Sequence, residues 1–264
     1  MAEIISRSLA HIHASKALSV PERRPGEEME LEIASGVKLV MCWIPPGEFL
    51  MGSPEDEEGH CDNETQHRVE ITKGFWLAKT PTTQAQWQAV MGSTPSFFKG
   101  KNLSVDQVSW NDICGNESGT EGFLGELNKL LPSGGRFQLP TEAQWEYARR
   151  AGTTGPHAGE LNEMGWYSDN SDDKKHPVGK KKQNAWGLQG MLGNTWEWCS
   201  DWYGDYDLNA VTDPTGPASG SSRVFRGGDW DYSAGDCRVA SRDHDCPTYG
   251  YCYTGFRVAR STVP

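Results

Sequence analysis

The stretch Arg226-Gly-Gly-Asp-Trp230, together with Gly255-Phe-Arg257 near the end of the chain, decides the fold. Gly227-Gly228 permits a tight backbone path, and two large aromatic side chains, Trp230 and Phe256, supply apolar anchors. Both ends of this C-terminal segment, residues 226–257, therefore have the composition of a rigid framework.

The residues between these ends have a different composition. Of the 25 residues from 229 to 253, seventeen are Asp, Tyr, Cys, Ser, Gly or His, and none is Lys, Glu, Gln, Asn, Leu, Ile or Met. This composition is typical of a binding surface, because Tyr gives contact area at low entropy cost and short polar side chains make adaptable hydrogen bonds. An ordinary acidic, Tyr-rich loop is the alternative that composition alone leaves open.

Length, charge and cysteine content limit the class of protein. The chain has 264 residues, enough for one domain with a sizeable core. A net charge of −11 argues against a nucleic-acid or anionic-membrane partner, and no apolar run approaches the roughly 20 residues of a membrane span. The seven Cys form no CxxC pair, and Met1–Arg7 lacks the apolar region of a signal peptide. We therefore expect a cytoplasmic protein with free thiols, or a surface or secreted one if a leader was removed.

The order of predicted elements indicates an α+β fold. A strand at Val37–Ile44 is expected to form a hairpin with residues 48–52, and the capping-box pattern Thr141-Glu-Ala-Gln144 predicts the start of a helix. Residues 1–36 have the composition of an N-terminal arm or linker, and residues 37–264 that of one domain. The chain contains 30 Gly and 11 Trp, which favours a loop-rich structure pinned by large aromatics.

Several motifs give the chain a family resemblance. Leu139-Pro-Thr-Glu-Ala-Gln-Trp-Glu-Tyr-Ala148, Gly193-Asn-Thr-Trp-Glu-Trp198 and the terminal Gly-Phe-Arg resemble the sulfatase-modifying-factor family, the formylglycine-generating enzymes and their relatives. The resemblance runs from about Val37 to Ala259 and implies a C-type-lectin-like fold with little regular structure. We expect Trp196 and Trp198 to pack with Trp230 and Phe256 in one core beneath the C-terminal segment.

The resemblance also bears on catalysis. In the formylglycine-generating enzymes, two cysteines five positions apart bind the copper that serves the oxidation of a substrate cysteine. The downstream one matches Cys237, but the upstream one matches Tyr232, and a phenol does not replace the thiolate that Cu(I) prefers. No spacing supports a substitute from Cys246 or Cys252. We therefore expect no catalytic residues and no enzyme activity, with a copper-dependent oxidoreductase that converts cysteine to formylglycine as the alternative.

Calcium is the one cofactor that the resemblance leaves open. Calcium prefers six to eight oxygen ligands. In the enzymes one calcium lies on the Gly-Asn-x-Trp-Glu loop, and a second site lies upstream. Position 190, which would supply a side-chain oxygen, is a glycine here, so one ligand is missing. The ligand positions implied at the two sites are Gly193, Thr195 and Glu197, and Asn170 and Asp172.

A second branch of the same fold explains the C-terminal segment better. Variable proteins of diversity-generating retroelements resemble these enzymes without the chemistry, and their genes are mutated at adenines. An AAC or AAT codon changed at its first two bases yields Asp, Tyr, His, Ser, Gly or Cys. The candidate variable, ligand-binding positions of these types are Asp229, Asp231, Tyr232, Ser233, Gly235, Asp236, Ser241, Asp243, His244, Asp245, Cys246, Tyr249, Gly250, Tyr251, Cys252 and Tyr253.

The sequence thus predicts a non-catalytic scaffold that binds a protein ligand. The ligand is bound through a diversified C-terminal surface, which a rigid framework supports. A third hypothesis is an accessory interaction domain of a signalling system.

Overall fold

The protein, a computed structural model that describes residues 23–116 and 118–262, has the expected α+β architecture. Strands and short helices alternate with long loops, as the Gly and Trp content predicts. The strands are β1 (Glu28–Ala34), β2 (Val37–Ile44), β3 (Gly47–Met51), β4 (His67–Ile71), β5 (Phe75–Ala78), β6 (Phe137–Gln138), β7 (Trp196–Trp202), β8 (Val211–Thr212), β9 (Arg223–Arg226), β10 (Arg242–Asp245), β11 (Thr254–Gly255) and β12 (Ala259–Arg260). The helices are α1 (Gln84–Met91), α2 (Trp110–Cys114), α3 (Phe123–Leu130), α4 (Glu142–Arg150) and α5 (Leu161–Met164).

An antiparallel sheet of order β1-β2-β5-β12-β6 joins the two ends of the described chain. Its edge strand β1 corrects the expected arm at residues 1–36. Residues 28–34 pair with β2, with Leu31 opposite Leu39, and both side chains pack in the same core. Residues 1–22 of the expected arm lie outside the described residues.

The expected hairpin of residues 37–44 with 48–52 is also wrong. Both hydrogen-bonding edges of β2 are already occupied, one by β1 and the other by β5. After Pro45-Pro46, β3 therefore pairs instead with β4, in a separate sheet of order β3-β4-β8. The strand itself was predicted correctly; its partner was not.

A third sheet, of order β10-β9-β7-β11, contains the strands of the C-terminal segment. Its central strand β7 contains the Trp-Glu-Trp motif, β9 ends at Arg226, and β10 pairs antiparallel with β9 at the edge of the sheet. The short β11 runs parallel to β7 just before the terminal Phe256-Arg257. The two framework motifs therefore flank β7, one on each side.

Two hydrophobic cores support these sheets. Trp196, Trp198 and Phe256 are buried in one core, as expected, whereas Trp230 is only half-buried and packs edge-on against Phe98. The second core surrounds Trp145 of α4. The capping box predicted at the start of α4 is confirmed. None of the helices described is both long and apolar enough to cross a membrane.

Candidate functional site

The C-terminal segment is fixed to the body of the protein by buried arginines. Arg226, fully buried, donates to Glu142 at 2.7 Å and also to Glu146, both on α4. Arg242 donates to both oxygens of the same Glu142, at 2.8 and 2.7 Å. Although burial opposes it, these two guanidinium groups hold the pKa of Glu142 below its ordinary value. The Glu142 carboxylate therefore stays charged, and through it α4 holds both strands of the β9–β10 pair.

Two further arginines complete the anchoring. Arg238 donates to Glu64 at 2.8 and 2.7 Å and to Glu57 at 2.9 Å, so the acidic loop before β4 is tied to the segment. Arg257 donates to both oxygens of Glu197 on β7, at 2.6 and 2.7 Å. Buried, hydrogen-bonded ion pairs fix geometry well, because breaking one leaves an uncompensated buried charge.

Between these anchors four tyrosines form a continuous row. The ring centroids of Tyr249 and Tyr251 are 6.4 Å apart, Tyr251 stacks on Tyr253 at 4.9 Å, and Tyr253 lies 6.4 Å from Tyr232. Tyr232 meets the buried Trp196 edge-on at 5.9 Å, so the row rests on the core. Tyr232 and Tyr249 are 39% and 55% exposed, and the two between them are half-buried. The predicted cluster of tyrosines is present.

Four carboxylates surround this row: Asp231, Asp236, Asp243 and Asp245. The hydrogen bonds that Asp236, Asp243 and Asp245 accept come from neutral donors only. Asp245 accepts from the Tyr251 hydroxyl at 2.8 Å, which with burial raises the pKa of Tyr251 to about 12, and Asp236 accepts from the Ser233 hydroxyl at 2.6 Å. No salt bridge among residues 23–116 and 118–262 includes any of the four.

Most of the sixteen candidate positions are reached by solvent. His244 is exposed and stacks on Tyr203 at 3.7 Å, and the position of Gly235 is open enough for a side chain. Fourteen of the sixteen are exposed or half-exposed, and we call thirteen of them, all except Gly250, the display surface. They are Asp231, Tyr232, Ser233, Gly235, Asp236, Asp243, His244, Asp245, Cys246, Tyr249, Tyr251, Cys252 and Tyr253.

Three candidates do not belong to this surface. Asp229 is 0% exposed; its Oδ1 accepts from the Asp231 amide at 2.7 Å, its Oδ2 is buried without a partner, and burial raises its pKa to about 7. Ser241 is 8% exposed. A Cβ atom at Gly250 would lie 2.8 Å from the carbonyl carbon of Gln107, so that position has no room for a side chain. Composition selected these three correctly by type but not by location.

The copper site of the enzyme family does not fit these residues. Cys237 is fully buried, and burial raises the pKa of its thiol to about 12 against the opposing effect of Arg149. A thiol that stays protonated is a poor copper ligand. Tyr232, the residue at the other ligand position, belongs to the tyrosine row. Cys237 behaves as the small buried apolar residue that we expect beside the framework.

The implied calcium positions do not fit either. Both Glu197 oxygens are bound by Arg257, and Oε2 also accepts from Trp145 at 2.7 Å. The Gly193 carbonyl already accepts from the Thr195 amide, and Asn170 Oδ1 accepts from the Tyr167 amide. The exposed Asp172 carboxylate lies 3.4 Å from Lys174. Across the described ranges, no group of three or more His, Cys, Asp or Glu is placed to hold a metal.

Sequence reasoning missed the carboxylates that fix the segment. Glu142 and Glu146 lie four residues apart on α4, a spacing that puts both on one helix face, yet both are buried. That spacing was the available signal. No sequence pattern indicates the buried ion pair between Lys175 and Asp106, whose charged atoms are 3.0 Å apart. This pair lies close enough to Asp229 for Lys175 to feel its charge.

A cleft of about 680 Å³ lies beside β10 and is distinct from the display surface. Its lining includes Asp201, Tyr206 and Arg242 but no display position. Arg242 and Tyr206 there already bind Glu142, and Asp201 accepts from the Glu142 amide at 2.9 Å. The cleft's buried polar groups therefore serve the anchoring network.

Comparisons with known proteins agree with this geometry. The family model of the sulfatase-modifying factor enzyme 1-like domain matches residues 36–262. The formylglycine-generating enzyme of Streptomyces coelicolor is 32% identical over 274 residues, covering 82% of this chain and 87% of the enzyme. The serine/threonine-protein kinase pkn1 of Chlamydia caviae is 29% identical over 288 residues, covering 98% of this chain but 44% of the kinase.

Among solved structures, variable protein 1 of Treponema denticola superposes with a TM-score of 0.79 at 29% identity, covering 89% of this chain and 99% of that one. The predicted fold and the resemblance to variable proteins are thereby confirmed.

Proposed function

We propose that this chain, which belongs to the sulfatase-modifying factor enzyme 1-like family, is a non-catalytic scaffold that binds a protein ligand through its display surface. One observation carries the proposal: thirteen polar and aromatic positions lie between four buried arginine anchors and take no part in the anchoring ion pairs. Stability and recognition are thus assigned to different residues of one segment.

The anchoring explains how the surface can vary. Arg226, Arg238, Arg242 and Arg257 all pair with glutamates outside the segment, on α4, on the acidic loop and on β7. A substitution at a display position removes none of these bonds. Surface substitutions away from such features usually change the free energy of unfolding by less than about 0.5 kcal/mol.

A protein ligand suits the surface better than a small molecule. The tyrosine row extends over four residues and is exposed at both ends, and the cleft beside β10 contains no display position. Small ligands are bound in concave pockets, whereas exposed aromatic patches with a polar rim mark protein interfaces. The likeness to variable protein 1 of Treponema denticola supports the scaffold itself.

Two other functions keep some support from the relatives. The identity to the Streptomyces enzyme and the presence of Cys237 favour the copper-dependent oxidoreductase, although the thiol is buried. The match to a domain-sized part of pkn1 favours an accessory interaction domain of a signalling system, which is compatible with ligand binding. Binding of a ligand by the display surface is expected of the scaffold and not of the oxidoreductase, so it distinguishes the two functions.

The proposal is tested by two libraries that use the same six residue types, Asp, Tyr, His, Ser, Gly and Cys. One library varies the thirteen display positions, and the matched library varies only Asp229, Ser241 and Gly250. Both are sorted for protease resistance and then for binding to three labelled test proteins: lysozyme, ubiquitin and serum albumin. We expect most members of the display library to fold and some to bind one test protein selectively, and most members of the matched library to unfold.

If the display library unfolds as often as the matched one, the segment is core and the proposal fails. If its members fold but none binds selectively, the segment is ordinary surface and the proposal fails as well.

A further inference from the structure

The carboxylates of the display surface form no ion pair within residues 23–116 and 118–262. Asp231, Asp236, Asp243 and Asp245 take part in none of the salt bridges of the described chain, whereas the glutamates that face the segment from below are paired. The two arginines between the framework ends of the segment, Arg238 and Arg242, are buried and paired with those glutamates. The surface therefore presents four carboxylates and one imidazole around the tyrosine row, and no Lys or Arg.

Elsewhere in the described chain, guanidinium groups lie over aromatic rings, and one of them is also bound by a carboxylate. The Arg242 guanidinium lies 4.0 Å from the ring of Tyr206 while Glu142 binds its nitrogens. The Arg223 guanidinium lies 3.4 Å from the ring of Trp202. Each arrangement joins a planar cation to an aromatic face, an attraction that strengthens as water is excluded.

The display surface also contains aromatic rings and carboxylates close together. Tyr251 and Tyr253 are stacked within 5° of parallel, and the hydroxyl of Tyr251 is fixed by Asp245. Tyr232 at one end of the row is adjacent in sequence to Asp231, and its neighbour Ser233 is bound to Asp236. The Tyr251–Tyr253 stack and the carboxylates of Asp236 and Asp245 are thus held in place before any ligand arrives, which lowers the entropy cost of binding.

We propose that the protein ligand presents arginine side chains to this surface, with guanidinium groups on the tyrosine row and paired with the four aspartates. This inference rests on the proposed function and names the chemistry of its ligand. Arginine fits better than lysine because its planar, weakly hydrated guanidinium stacks on rings and binds carboxylates through two parallel hydrogen bonds. Electrostatic attraction to a negative surface also raises the association rate.

The test uses the full chain and three labelled peptides that differ only in four charged positions, occupied by Arg, by Lys or by Glu and separated by Gly-Ser. Fluorescence anisotropy at low salt measures binding. We expect the Arg peptide to bind about tenfold or more tightly than the Lys peptide and the Glu peptide not to bind. Affinity for the Arg peptide should fall as salt rises, because exposed charges are screened.

Two variants of equal charge locate the site. The display variant is Asp231→Asn, Asp236→Asn, Asp243→Asn and Asp245→Asn. The matched variant removes four exposed carboxylates from the acidic loop: Glu55→Gln, Asp56→Asn, Glu58→Gln and Asp62→Asn. We expect the display variant to lose about tenfold or more of the Arg-peptide affinity and the matched variant to lose little. A third variant, Tyr232→Ala with Tyr249→Ala, keeps the charge and should also weaken binding several-fold.

Equal losses in the two charge variants would overturn the inference, because binding would then follow net charge. Equal affinity for the Arg and Lys peptides, with no effect of the tyrosine variant, would overturn it too. If no peptide binds while the display library yields selective binders, this inference fails and the proposed function stands. If the display library fails, the proposed function fails, whatever the peptides do.

Discussion

The guanidinium of Arg257 lies against both oxygens of the Glu197 carboxylate, at 2.6 Å from Nε to Oε2 and 2.7 Å from Nη2 to Oε1. The contact joins the terminal Gly-Phe-Arg motif to the Trp-Glu-Trp motif of β7. Arg257 also donates to the carbonyls of Ala78 and Gln189, both at 3.0 Å, so one side chain ties together three parts of the fold. The two most specific sequence motifs of the chain are therefore one structural unit.

Glu197→Gln should destabilise the protein severely. It leaves the fully buried Arg257 without its counter-charge, and breaking a buried pair costs about 3–5 kcal/mol. Urea denaturation measures the loss. The matched control is Glu163→Gln, which breaks the exposed Lys182–Glu163 pair at 2.7 Å and should cost less than about 1 kcal/mol. Equal losses in the two variants would show that the pair does not hold the fold.

Calcium should have no effect on stability. A ligand that binds only the native state raises the melting temperature, but the implied calcium ligand Glu197 is already neutralised by Arg257. We expect the same melting temperature in excess calcium and in excess chelator. A rise with calcium that is absent in Asn170→Ala or Asp172→Ala would contradict this and restore the calcium site.

Trp198→Ala should destabilise the protein far more than a substitution on the display surface does. Trp198 is 0% exposed and fills the core beneath the segment, so its truncation should cost about 3–5 kcal/mol. Tyr249→Ala removes a ring that is 55% exposed and should leave the melting temperature nearly unchanged. Thermal unfolding of both variants measures the contrast. Similar shifts would show that the row of tyrosines belongs to the core.

The parts of the structure that the sequence predicts are those whose cause is local. The strand at Val37–Ile44, the capping box at Thr141 and the polar, aromatic character of the display surface all follow from residue type and spacing. The partner of a strand is not local: β2 pairs with β1, which precedes it, and with β5, which lies beyond β3 and β4 in the sequence.

The errors at the candidate site have the same origin. Gly250 has the right residue type for a variable position, but the backbone of Gln107 and Val108 passes within 3 Å of where a Cβ would lie. Asp229 is buried in a loop that folds back on its own side chain. The location of Gly250 depends on a contact with residues that are distant in the sequence, and that of Asp229 depends on burial, which composition does not encode.

Incubation with a sulfatase-type peptide, Cu(I) and oxygen should yield no formylglycine, as measured by mass spectrometry. The buried Cys237 thiol has its pKa raised to about 12 by burial and stays protonated, and no second thiol stands at the expected spacing. Cys237→Ser is the control for a background reaction. Multiple turnovers that disappear in Cys237→Ser would contradict the scaffold proposal and establish the oxidoreductase.

Asp229→Asn should stabilise the protein at neutral and alkaline pH. Burial raises the pKa of Asp229 from 3.8 to about 7, so the native state binds this proton more tightly than the unfolded state does. As pH rises from about 4 to about 7, the native state must give up that proton, and the free energy of unfolding falls. Asparagine keeps an oxygen for the Asp231 amide and carries no charge. We expect a gain of about 1–3 kcal/mol at pH 8 that shrinks towards zero near pH 4.

Urea denaturation at several pH values measures this dependence. Asp231→Asn removes an exposed charge next to Asp229 and is the matched control, with a change of less than about 0.5 kcal/mol at every pH. Asp201, whose pKa burial also raises to about 7, retains its own contribution in both variants, so part of the pH slope should remain. A destabilisation of Asp229→Asn at pH 8 would mean that the charged carboxylate is needed by the nearby Lys175, and that the buried cluster beneath the display surface is held by its charge.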